Sequence, residues 1–97
     1  MKVYLTAILK SKPGSVEALK PLLFNLVAQS TQEEACQQYE LYQSAEDENM
    51  FIFHETWSDQ AGLDVHNSGE GINTFVTAAG PILDGPIIIY KTNKISE

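Results

Sequence analysis

Glu55 and His66 are the side chains of this sequence best placed to move a proton. Phe53, Glu55 and Trp57 alternate along a strand-like run, so they share one face, while Ile52, His54 and Thr56 share the other. A carboxylate set between two large aromatics loses hydration once that face is covered, which raises its pKa and suits it to accept or hold a proton. A glutamate at a sheet edge would serve equally to tie down a backbone amide or a tyrosine. His66 falls on the same helical stripe as Leu63 and can look inward at the sheet, where it would be a natural general base at neutral pH. Turned outward, it would only cap a helix C-terminus. His54 shares its face with Ile52 and Thr56 and reads as structural. Cys36, the single cysteine, has no histidine beside it and reads as a buried small hydrophobe rather than a nucleophile. No metal site is expected.

Several elements must hold these groups. Val3 to Leu9 alternates Val3, Leu5, Ala7 and Leu9 against Tyr4, Thr6 and Ile8, and both sets are largely apolar, which predicts a central strand covered on both faces. Lys12-Pro13-Gly14 is a turn, Ser15 a candidate cap, and Val16, Leu19, Leu22, Leu23, Leu26 and Val27 form one helical stripe. Pro21 predicts a kink or a reset start within that helix. Cys36 to Ser44 and Met50 to Trp57 read as a hairpin around the polar turn 45–49. Ser58 or Asp59 caps a short helix to about His66; Gly69 and Gly71 break it, and Ile72, Phe75, Val76 and Ala79 mark a further helical stripe. After the Asp84-Gly85-Pro86 turn, Ile87 to Tyr90 is a last strand. The order β-α-β-β-α-β is the ferredoxin-like motif of the α+β class: a four-stranded antiparallel sheet with helices on one face. Its open face is apolar and needs a partner, for which a second copy is the expected choice.

The chain has 97 residues, room for one domain over 1–97, and a core small enough that pairing with a second copy helps to cover it. Six lysines, no arginine and thirteen acidic residues give a net charge of −7, which repels phosphate backbones and anionic lipid, so neither nucleic acid nor a membrane surface is an expected partner. The first residues run straight into a strand pattern without a leader-like segment, so the protein is expected in the cytoplasm. No apolar run approaches the ~20 residues of a membrane helix.

Phe53-His54-Glu55-Thr56-Trp57-Ser58-Asp59, followed by Ala61, Leu63 and His66, resembles the signature of the antibiotic biosynthesis monooxygenase family. The Lys-Pro-Gly turn after the first strand, the Cys36-Gln37-Gln38-Tyr39 start of the second, and the chain length agree with it, so the resemblance covers nearly the whole chain. It implies a dimeric α/β barrel in which two ferredoxin-like sheets face one another, with a pocket in each subunit between sheet and helices. It also implies chemistry without a cofactor: a quinol or anthrone-like aromatic loses a proton and its anion passes an electron to O2. Carried over by position, Trp57 and Phe53 line or support the pocket, His66 faces the substrate and Glu55 orients a polar partner. Tyr4, Tyr39 and Phe75 are further candidate walls, although aromatics at such spacings also serve as plain core.

Haem-degrading relatives use an asparagine on the first strand, a tryptophan on the helix after the Glu-x-Trp strand and a haem-ligating histidine further on. Here Thr6 or Ala7, His66 and Val76 stand at those places, so haem is not expected. An isomerase of phosphorylated autoinducer breakdown shares the scaffold but needs a basic phosphate site, and this chain lacks arginine. The rival from another class is a dimeric module of the same fold that binds a small apolar molecule without turning it over.

Overall fold

Alternating burial in Val3–Lys10 (β1) shows which half of its apolar pattern the helices use: Val3, Leu5, Ala7 and Leu9 are buried, and Tyr4, Thr6 and Ile8 are half-covered. This is a computed structural model, and it describes residues 1–97. The remaining elements are α1 (Val16–Ser30), β2 (Cys36–Gln43), β3 (Met50–Trp57), α2 (Gln60–Ser68), α3 (Glu70–Ala79) and β4 (Ile88–Thr92), with a 3-10 turn over Gly80–Ile82. The strands form one antiparallel sheet in the order β2-β3-β1-β4, the ferredoxin-like α+β arrangement that the element order predicts.

β1 and β3 are the central strands. Their register sets Leu5 opposite Glu55 and Ala7 opposite Phe53, while β2 sets Tyr39 opposite Glu55 from the other side. Glu55 is therefore in the middle of the sheet, which removes the edge role that its sequence position also allowed. The helices lie on the face carrying Phe51, Phe53, Glu55 and Trp57, and Leu19, Leu23, Leu26, Leu63, Phe75 and Ala79 complete the core there. Burying an aliphatic or aromatic side chain of this size contributes about 1.5–3 kcal/mol, so this face supplies most of the chain's own stabilisation.

Three local expectations change. α1 runs unbroken from Val16 to Ser30, with no reset at Pro21. The proline forfeits one backbone hydrogen bond, and the buried stripe of Leu19, Leu23 and Leu26 holds both halves of the helix on the sheet. Ser15 occupies the N-cap position, but its hydroxyl makes no capping bond; Asp59 does cap α2, accepting from the Gly62 backbone N–H at 2.7 Å. The break after α2 falls at Gly69 alone. Gly71 lies in the first turn of α3, where backbone N–H groups lack helical partners in any case, and a Cβ there would meet Gln29 Oε1 at 2.7 Å. Gly62 has a similar reason: a Cβ would collide with that of Ala35, so α2 could not approach β2. Gly14 and Gly85, at φ +83° and +87°, make the two turns that need left-handed backbone.

Candidate active site

β3 aims Phe53, Glu55 and Trp57 at the helices, and Asp59 starts α2 so that His66, in its last turn, comes down on the same face. His66 is 4% exposed and Glu55 7%. The His66 ring lies against Trp57 with centroids 4.5 Å apart and meets Tyr39 edge-on at 5.6 Å. Trp57 donates its indole N–H to Glu55 Oε1 at 3.0 Å. On its other side, His66 Nδ1 is 2.7 Å from Glu33 Oε2, close enough for a protonated Nδ1 to donate to that carboxylate.

Burial pushes the Glu55 carboxyl above the ordinary carboxylate value; the Trp57 N–H and the charge of His66 pull the other way, and Glu33 adds to the rise. Tyr39 is driven well above the usual phenol range, first by burial and then by the Glu55 charge, so its hydroxyl stays protonated and can only donate or accept. Cys36 is half-buried rather than fully buried, and burial together with the Glu33 and Glu55 charges raises its pKa, which disfavours the thiolate that a nucleophile requires.

Between the sheet and α1 and α3 lies a cavity of about 140 Å³ whose walls are mostly apolar. Tyr39, Phe53, Glu55, His66 and Phe75 all line it, together with aliphatic side chains from β1 and β4. Trp57 does not reach the cavity; it stands behind His66 and holds Glu55. Tyr4 is a correction. Its backbone pairs with Thr56, which puts its side chain on the opposite face of the sheet, because successive residues of a strand point to opposite sides. A second, polar cleft of about 420 Å³ opens outside the first, bounded by Gln29, Glu33, Val65, Glu70 and Gly71. His66 and Ile72 line both spaces and separate them.

Glu33 escaped the sequence reading because Gln32-Glu33-Glu34 looks like any solvated run after a helix. Only the packing of α2 brings His66 to it. No group of three or more His, Cys, Asp or Glu side chains is arranged to hold a metal ion. No helix is long and apolar enough to cross a membrane.

A family model described as antibiotic biosynthesis monooxygenase matches residues 3–78. YcnE of Bacillus subtilis (strain 168), named a putative monooxygenase, is 32% identical over 95 residues, 98% of this chain and 99% of that protein. The crystal structure of PA3566 from Pseudomonas aeruginosa superposes with a TM-score of 0.92 at 32% identity, covering 98% of this chain and 95% of that one. Rv0793 from Mycobacterium tuberculosis has the same fold, with a TM-score of 0.92 at 23% identity over 100% of this chain and 98% of that one.

Proposed function

The chain belongs to the antibiotic biosynthesis monooxygenase family, and from that premise we propose that it oxidises a small aromatic quinol with O2, without a cofactor, using His66 as the base. The observation that carries this reading is that His66 and Glu55 line one cavity whose remaining walls, Asn67 apart, are aromatic and aliphatic. A quinol hydroxyl placed against His66 gives up its proton to the ring. The quinolate left behind is electron-rich enough to reduce O2 directly, against walls that are mostly apolar. A hydroquinone and O2 then give a hydroxyquinone and water, with the substrate supplying every electron that O2 takes. The Tyr39 hydroxyl and the Glu55 carboxyl, whose proton is retained more readily because of its raised pKa, are the groups available to hold the substrate's second oxygen.

Size narrows the substrate. A cavity of about 140 Å³ is close to the ~150 Å³ engineered cavity that holds benzene, so a single ring fits the space as it stands. A tricyclic anthrone needs the cavity to widen toward Ile87, Ile89 and Val76. The open face of the sheet, with Tyr42, Ile88 and Tyr90 exposed beside Ile8 and Ile52, supports a homodimer in which two such sheets face one another.

Oxygen uptake tests the reading, with methylhydroquinone, menadiol and anthrone as substrates and His66→Ala as the control. The wild type is expected to exceed autoxidation, most clearly with the monocyclic quinol, and His66→Ala to lose about a hundredfold in turnover. Tight binding of the quinol with uptake no faster than autoxidation would instead make the protein a non-catalytic binding module.

A further inference from the structure

We propose that Glu33 is the positioning residue for His66: its carboxylate holds the Nδ1 proton, leaves Nε2 free to take the substrate's proton, and stabilises the imidazolium that forms. The inference rests on the proposed role of His66 as the base, but its structural half can be measured without turnover.

Glu33 sits in the link between α1 and β2, and that link is pinned. Its backbone N–H donates to the Ser30 carbonyl at 3.1 Å and its carbonyl accepts from Cys36 N–H at 3.0 Å, so the carboxylate is presented from a fixed backbone. His66 is equally constrained, wedged between Trp57 and Tyr39 at the end of α2. A neutral imidazole has one donor and one acceptor nitrogen, and an ionised carboxylate can only accept, so the 2.7 Å contact assigns the proton to Nδ1. Nε2 is then the nitrogen with a lone pair. The two spaces on either side of the ring give this order a use: Glu33 lines the outer, polar cleft and not the inner cavity, and its side chain is 30% exposed, whereas His66 lines both. When Nε2 takes the quinol proton, the positive charge spreads over a ring already bonded to an anion. The proton later returns from Nε2 to the oxygen leaving as water, and the Nδ1 proton never moves. Glu33 thus acts from outside the inner cavity and adds no further charge to its walls.

Glu33→Gln keeps an acceptor but removes the charge, and Glu33→Ala removes both. Nitrogen-15 NMR of the His66 ring, at a pH where it is neutral, is expected to show the Nδ1–H form in the wild type and a shift toward Nε2–H in Glu33→Ala. In methylhydroquinone oxidation kcat is expected to fall by about tenfold for Glu33→Gln and about a hundredfold for Glu33→Ala, with KM within about twofold of wild type. A wild-type ring in the Nε2–H form, or a tautomer unchanged in Glu33→Ala, overturns the assignment even if no substrate is ever turned over. A tautomer that changes while kcat does not would overturn the catalytic half alone. If His66→Ala keeps full activity, the reading of His66 as the base is what fails.

Discussion

The two faces of the sheet are built from the same strands and have opposite fates. On one, Phe51, Phe53, Glu55 and Trp57 of β3 are sealed under α1, α2 and α3, and a carboxylate and an imidazole are carried into the core with them. On the other, Tyr42, Ile88 and Tyr90 remain exposed beside Tyr4, Ile8 and Ile52, with His54 making a long 3.4 Å contact to Thr6 and meeting the Tyr42 ring edge-on at 5.4 Å. Alternation gives β1 an apolar set on both sides, but helices cover only one face of the sheet. The covered face can therefore hold polar groups dry enough to do proton chemistry. The open face has apolar area and no chemistry of that kind.

The sharpest way to break this contrast is Trp57→Ala. Trp57 is fully buried, so the substitution is expected to cost about 3–5 kcal/mol, a large part of the stability of a domain this size, and it also strips Glu55 of its hydrogen-bond donor. Urea denaturation measures it, and a loss under about 1 kcal/mol would show that the helix-covered face is not where the stability resides. Tyr90→Lys makes the reciprocal test on the open face. It should change monomer stability by no more than about 0.5 kcal/mol yet weaken self-association at least about tenfold, as sedimentation equilibrium would show. A pair of chains that tolerates the lysine would have to join through another surface.

Glu55→Gln has the smallest expected effect and separates chemistry from stability on the covered face. Burial raises the Glu55 pKa above its ordinary value of 4.5, so over the interval above that value the folded chain holds a proton that the unfolded chain has released. Stability contributed by this group is thus full in acid and declines as pH rises through the interval. Glutamine carries no charge at any pH and can still accept from Trp57. The variant is expected to be more stable than wild type near neutral pH, by about 1 kcal/mol, and to lose that advantage in acid. Thermal unfolding at several pH values would follow it, and an advantage that grows in acid would reverse the sign argued here.

Much of the helix-covered face is legible from residue order alone. The alternation of Phe53, Glu55 and Trp57 is local, and so are the Asp59 cap and the stripe that carries Leu63 and His66. Each depends on neighbours within a turn or a strand step, and backbone geometry links such neighbours whatever the rest of the chain does. Tyr4 went astray because both halves of β1 are apolar; periodicity sorts a strand into two faces without saying which one the helices will take. Pro21 is the same lesson in a helix, where a local breaker yields to the burial of the leucines around it.

Sequence by itself determined the ferredoxin-like element order, the shared face of β3 and the polar residues worth watching, because these follow from the repeat distances of strand and helix. Only the tertiary structure decided that Glu55 sits at the centre of the sheet between Leu5 and Tyr39, and that His66 meets Glu33 from across 33 positions of chain. Strand order and helix docking choose those partners by which apolar faces bury best, and a contact between distant residues leaves no trace in the spacing of either one.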